Sequence, residues 1–177
     1  MTTIAVLLEN GFEELEAMGP IDLLTRAGCK VDMIAVNNVS ATGRCGVQYG
    51  PTTPMKDYDF SQADCLFLPG GGHHVKLRVN PEVLKLVHEF TEKKIIAAIC
   101  ASPTILGQEG LLKGKNYTCF TSMNQDFGGT YHDDYAIVDG NMITGKSAAA
   151  AIDFGFALME VLCGKEKVQE IKESIYY

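Results

Sequence analysis

Apolar positions fall in short blocks along this chain, and most blocks are followed by a stretch with helical spacing. Thr3–Leu8 is a continuous apolar run, which predicts a buried strand ended at Asn10-Gly11. Glu13–Ala27 then brings Leu15, Met18, Leu24 and Ala27 to helical intervals, and Gly28 is a stop signal. Pro20 lacks an N–H and disfavours α geometry at Gly19, so a kink or break is expected inside this helix. Val31–Val36 is a second strand and Asp64–Leu68 a third, the latter ended by Pro69-Gly70-Gly71-Gly72. Asn80-Pro81 forms an N-cap with proline at the first helical position. The helix behind it gathers Val83, Leu84, Val87 and Phe90 on one face. Lys94–Ile99 is the most apolar strand, and its lack of alternation predicts burial on both faces, as in a central parallel strand.

The second half continues with a short helix at Pro103–Gln108, a strand at Tyr117–Phe120 and a polar, glycine-rich loop at Thr121–Asp134. Tyr135–Val138 and Asn141–Thr144 flank Asp139-Gly140, a strong hairpin signal. Ala148–Leu162 is a core helix stopped by Gly164, and Lys165–Ile175 a final amphipathic helix. One stretch departs from the pattern: Asn37–Pro54, rich in Gly, Thr, Asn and Pro, reads as a small β-hairpin excursion. Strands alternating with helices, with no repeat or linker, predict one domain over residues 1–177. The expected class is α/β: a doubly wound, mostly parallel sheet with helices on both faces.

Composition supports this picture without sharpening it. The chain has 177 residues, 46% hydrophobic and 21% charged, as in ordinary globular proteins. Its longest apolar run, Ile95–Ala101, is far short of the roughly 20 residues of a membrane helix, and the amino terminus shows no signal peptide. A net charge of −7 disfavours nucleic acid and anionic membranes as partners. The six cysteines, at 29, 45, 65, 100, 119 and 163, have no metal-site spacing, so neither metal nor cofactor is expected. They are too sparse for a disulfide scaffold. Reduced thiols in a cytoplasmic protein are the expectation, most of them small buried hydrophobes.

Sites in open α/β sheets form at the carboxyl ends of the strands. Cys100 lies there, between a buried strand and a helix that Pro103 can start. That position near a helix amino terminus is expected to lower its pKa, and the following backbone amides suit an oxyanion. A structural cysteine is the competing reading for Cys100, and the favoured one for the other five. The Gly70–Gly72 run is either a plain turn or a place where backbone amides approach a substrate. Glu13, Glu14 and Glu16 suit a helix amino terminus. A glutamate turned inward beside the thiol would instead have a raised pKa and serve as a proton shuttle.

Three motifs, A-I-C-A-S-P (Ala98–Pro103), F-L-P-G-G (Phe67–Gly71) and G-F-E-E-L-E (Gly11–Glu16), resemble the ThiJ/PfpI superfamily. The likeness is to its Parkinsonism-associated protein deglycase, or glyoxalase III-like, branch, and it extends through Asp139–Gly145 and Phe154–Lys165. The resemblance implies a flavodoxin-like sandwich and a homodimer. It makes Cys100 the nucleophilic, oxidisable thiol, Glu16 its protonated partner, and the amides of Gly71 and Ala101 the oxyanion site. It implies an enzyme, a hydro-lyase or hydrolase acting on α-oxoaldehydes such as methylglyoxal or their early adducts, without a cofactor. A redox sensor or stress chaperone working through oxidation of Cys100 is the alternative. Protease-like members carry histidine directly after the cysteine; Ala101 stands there instead, which weakens a peptidase or amidase reading. The branch's histidine after a late Gly-Gly pair is also displaced: Thr130 follows Gly128-Gly129, and His132 lies two residues on. His132 and His73 are therefore candidates for the site, against a surface position for the former.

Gly140–Ser147 (G-N-M-I-T-G-K-S) fits a phosphate-binding loop in isolation. Such a loop needs a strand before its first glycine and bare loop between the glycines. Here a hairpin turn and a strand are predicted in those places, so nucleotide binding is discounted.

Overall fold

A computed structural model describes all residues 1–177. The strands and helices follow in chain order: β1 (Thr3–Leu8), α1 (Glu14–Arg26), β2 (Lys30–Ala35), β3 (Ala41–Thr42), β4 (Gln48–Tyr49), β5 (Thr53–Pro54), β6 (Cys65–Leu68), α2 (His74–Leu77), α3 (Pro81–Lys93), β7 (Ile95–Ile99), α4 (Pro103–Gln108), β8 (Asn116–Tyr117), β9 (Thr130–Tyr131), β10 (Ala136–Asp139), β11 (Met142–Gly145), α5 (Ala151–Cys163) and α6 (Lys165–Ser174). Seven strands form the central sheet in the order β10-β11-β7-β6-β1-β2-β5. Every pairing is parallel except the β10–β11 hairpin at one edge. This is the doubly wound, flavodoxin-like architecture.

Two cores explain why the central strands do not alternate. Ile4, Val6 and Leu8 of β1 and Phe67 of β6 pack on one face with Leu23 and Leu24 of α1, Phe154 and Leu158 of α5 and Ile171 of α6. Ala5, Leu7, Leu66 and Leu68 pack on the other with Val83, Val87 and Phe90 of α3 and Ile105 of α4. Strands covered on both faces have no polar side to show.

Four local expectations are revised. Helix α1 runs unbroken through Pro20, whose buried ring sits in the α1–α5 contact. Tertiary packing there outweighs the lost hydrogen bond. The excursion does form a hairpin, β3–β4, and then adds an edge strand, β5, to the main sheet. At Tyr117–Phe120 only Tyr117 is in a strand: β8 pairs with β9 in a separate two-stranded sheet, and the Thr118 N–H turns to Thr144 Oγ1. Two cysteines escape the buried-thiol expectation: Cys45 is exposed in the hairpin turn and Cys163 is half-buried. The phosphate-loop look-alike is the β10–β11 turn and β11 itself. No helix is long and apolar enough to cross a membrane.

Candidate active site

β1 is followed by β2 on one side of the sheet and bordered by β6 on the other, so the winding reverses between β1 and β6. At such a reversal the outgoing loops diverge and leave a crevice at the strand carboxyl ends. Three segments meet there: the start of α1, the glycine turn after β6, and the turn between β7 and α4.

The third segment carries Cys100. Its φ is +64°, one of two positive values at non-glycine residues. Side chains avoid this region, at a cost of order 1–3 kcal/mol, unless the surroundings impose it. Here they do: the Cys100 N–H donates to Gly145 O and its carbonyl accepts from the Phe120 N–H, each at 2.8 Å. The result is a sharp elbow that turns the thiol out of the sheet.

Glu16 comes from the first segment. The Glu13 carboxylate caps α1 by accepting the Glu16 N–H at 2.9 Å. One turn of helix then brings Glu16 inward, 1% exposed, while Leu15 beside it is 63% exposed. Glu16 Oε2 has no N–H or O–H partner; the group facing it is the Cys100 thiol. Glu14 turns away and its Oε1 accepts the Cys45 N–H, pinning the hairpin.

The glycine turn lets these two side chains meet. A Cβ at Gly70 would collide with the Glu16 carboxyl, the Cys100 Cβ and Ile99 O. Gly71 has φ +97°, and a Cβ there would lie 2.6 Å from both Glu13 N and Gly11 O. Neither position tolerates a side chain. The turn is held from behind: Pro69 O accepts from Ser102 Oγ at 2.5 Å and from His73 Nε2–H at 2.7 Å. His73 Nδ1 accepts the Glu9 N–H. With one ring nitrogen donating and the other accepting, His73 is neutral, and burial pushes its pKa down to about 4.

Burial pushes the Glu16 carboxyl up, from 4.5 to about 7; the Cys100 thiol and the Gly70 N–H pull the other way, and Glu13 adds to the rise. Cys100 is also raised, by burial first and then by the Glu16 charge, against the Ala101 N–H. This reverses the depressed thiol expected from the helix amino terminus. Helix α4 is only six residues long, and a facing carboxylate outweighs its field. Two acids in contact titrate as a pair: this pair releases its first proton near 7 and holds its second above the ordinary thiol range.

A cavity of about 670 Å³ opens over the pair. Glu13, Gly71, Ala101, Phe120, Met123, Ser147, Arg44 and His74 are among the residues lining it, with Cys100 and Glu16 on its floor. The backbone N–H groups of Gly71 and Ala101 donate to no backbone carbonyl; that of Ala101 faces the Cys100 sulfur.

Cys100, Glu16, Gly71 and Ala101 therefore come together. The two histidine candidates do not join them. His73 is fully buried behind the glycine turn, because its ring is spent on Pro69 and Glu9. His132 follows β9, where its Nε2 meets Asn116 Oδ1 at 2.8 Å. The histidine at the cavity is His74, whose Nδ1 is 2.9 Å from Gly71 O. Arg44, the one arginine or lysine on the cavity wall, had no signal in the sequence beyond its place in a glycine-rich excursion. No cluster of three or more His, Cys, Asp or Glu is arranged as a metal ion would need.

This constellation can be compared with known proteins. Protein dj-1beta of Drosophila melanogaster is 36% identical over 177 residues, which covers 96% of this chain and 94% of that protein. The crystal structure of Drosophila DJ-1beta superposes with a TM-score of 0.91 at 32% identity, over 99% of this chain and 97% of that one. A deglycase of Thermococcus kodakarensis is 28% identical over 147 residues, 81% of this chain and 89% of that protein. An isonitrile hydratase of Pseudomonas putida is 27% identical over 179 residues, 98% of this chain and 78% of that protein. Relatives named for different reactions thus share sequence with this chain over most of its length. The DJ-1/PfpI pattern matches residues 2–161, and the chain belongs to the DJ-1/PfpI family.

Proposed function

We propose that this protein is a cysteine-dependent glyoxalase or deglycase acting on α-oxoaldehydes such as methylglyoxal, or on their early adducts. The observation that carries the reading is the Cys100–Glu16 pair on the cavity floor, with a carboxyl raised to about 7 facing the thiol. In the singly ionised pair Glu16 is the carboxylate; it takes the Cys100 proton as the sulfur attacks, which leaves Glu16 protonated and the sulfur as the nucleophile. The sulfur adds to the aldehyde carbon, and the new oxyanion faces the N–H groups of Gly71 and Ala101, neither of which has a backbone acceptor. Protonation of that oxygen completes a hemithioacetal. Glu16 then carries the proton from the former aldehyde carbon to the neighbouring carbonyl carbon, and the hemithioacetal hydroxyl proton passes to the oxygen on that carbon, giving a thioester of a 2-hydroxy acid. Water hydrolyses the thioester, releasing the acid and restoring the thiol. For methylglyoxal the net change is addition of one water to give lactate.

The cavity volume lies within the 300–1,000 Å³ typical of pockets for drug-sized ligands. That is more room than a three-carbon aldehyde needs, and it favours adducts carried on an amino group as co-substrates. None of the four histidines bonds to Cys100; their partners are Pro69, Glu9, Gly71, Glu109 and Asn116. A Cys–His hydrolase dyad therefore has no support. The test is lactate formation from methylglyoxal by wild type and Cys100→Ser. Turnover lost in the variant supports the reading; absence in wild type, or full retention in Cys100→Ser, overturns it.

A second reading, oxidation sensing through Cys100, is favoured by its partial exposure beside the fully buried Cys65 and Cys119. A sulfinate would accept from the Glu16 carboxyl. Intact mass after mild peroxide separates the readings: oxygen added at Cys100 at low peroxide supports sensing, and an unmodified Cys100 removes it.

A further inference from the structure

At the opposite end of the sheet from the cavity, two cysteines 134 residues apart in sequence bring their sulfurs to 3.5 Å. Cys29 sits just beyond the carboxyl end of α1, and Cys163 is the last residue of α5. Both helices follow parallel strands on the same face of the sheet, so both end near the strand amino termini. Their ends are tightly closed. Ala27 caps α1, the Gly28 N–H returns to Thr25 O and the Cys29 N–H to Leu24 O, each at 3.0 Å, with Gly28 at φ +86°. This double closure fixes the backbone of Cys29. The Gly164 N–H returns to Glu160 O at 2.9 Å, again with φ +86°. The two thiols thus project from rigid helix ends toward each other. Cys29 is buried and Cys163 half-buried, so an oxidant reaches one partner and finds the other behind it.

We propose that Cys29 and Cys163 form a reversible redox site: a dithiol that a disulfide oxidant converts into an intramolecular disulfide joining the ends of α1 and α5. The half-buried Cys163, as its thiolate, attacks one sulfur of the oxidant, forming a mixed disulfide and releasing one small thiolate. Cys29 gives up its proton and attacks the Cys163 sulfur, forming the Cys29–Cys163 bond and expelling the second small thiolate. Two electrons pass from the protein to the oxidant, and the two protons lost go to the released thiolates or to solvent. Burial and the neighbouring Cys163 push the Cys29 thiol up to about 12, which protects it from the first step; once Cys163 is in the mixed disulfide, its part of that shift is gone and its sulfur lies next to Cys29. β1 alone spans about 20 Å at roughly 3.3 Å per residue, so this site and Cys100 are chemically independent.

The test treats folded, reduced protein with oxidised glutathione, blocks remaining thiols after unfolding, and maps the peptides. The expected product has lost two hydrogens in intact mass, contains one cross-linked Cys29–Cys163 peptide, returns to the dithiol with dithiothreitol, and is absent in Cys163→Ser. Because Cys163→Ser changes a half-buried position, it should fold; its melting point, compared with reduced wild type, checks this. Wild-type Cys29 and Cys163 both found alkylated would overturn the proposal. So would glutathione retained at Cys163, or Cys29 cross-linked to the nearby Cys65. Trivalent phenylarsine oxide gives a second readout without oxidation: a one-to-one adduct blocking both residues supports the dithiol, and its absence contradicts it.

Discussion

The two ends of the sheet hold thiols under opposite conditions. At the carboxyl end Cys100 stands at φ +64°, facing a carboxyl with an unpartnered oxygen and beside N–H groups with no backbone acceptor. At the amino end Cys29 and Cys163 extend from well-closed helix termini and face each other. The first environment concentrates unsatisfied polar groups at one sulfur, where they can act on a substrate. The second satisfies its backbone and leaves only the thiols to react. Residue type is the same; what differs is how much of the surrounding hydrogen-bonding capacity remains unspent.

The largest effect should come from Cys100→Ser. Serine keeps the elbow but is a far weaker nucleophile near neutrality, and turnover should fall by about 10³-fold or more, measured as lactate from methylglyoxal. Glu16→Gln should follow, with a loss of about 10²–10⁴-fold, the usual range for removing a general acid–base. The pH profile of wild-type kcat/KM should rise through about 7, as the pair loses its first proton.

Stability sharpens the contrast further. Folding takes up a proton at Glu16 between pH 4.5 and about 7, so this group makes the fold less stable as pH rises through that window. The gap corresponds to about 3 kcal/mol, and Glu16→Gln should recover part of it at pH 8. His73 has the opposite sign. Its pKa falls from 6.5 to about 4, so folding expels a proton and stability drops as pH falls through that range, again by about 3 kcal/mol. The two trends oppose each other in wild type. Urea unfolding at pH 5 and pH 8 should therefore show a small net difference in wild type and a clear acid loss in Glu16→Gln. A steeper acid loss in wild type than in the variant would contradict the assignment. The smallest effect belongs to His132→Ala, which does not line the cavity and whose ring bonds to Asn116: turnover should change by less than about twofold.

The sequence made the sheet, the elbow and the glycine turn readable because each is a local device. An apolar run, a proline at the first helical position and three consecutive glycines act within a few residues. The chemistry at Cys100 was less readable because it depends on what arrives from elsewhere. Helix position alone argued for a lowered thiol pKa, and only the placement of Glu16 reversed the sign. Arg44 reaches the cavity through the hairpin excursion, and His74 rather than His73 lines it, because the preceding ring is committed to Pro69 and Glu9. Nor does any sequence spacing announce Cys29 and Cys163; two helix ends meeting on one face bring them together.

The central claim is that Cys100 and Glu16 share their protons. The direct measurement is thiolate absorbance against pH, taken as wild type minus Cys100→Ser, and repeated in Glu16→Gln. The expected thiolate step lies above the ordinary thiol range in wild type and moves downward in Glu16→Gln, where the carboxylate's charge no longer opposes ionisation and burial alone does. A thiolate step near the unperturbed 8.5 or so, unchanged by the substitution, would contradict it.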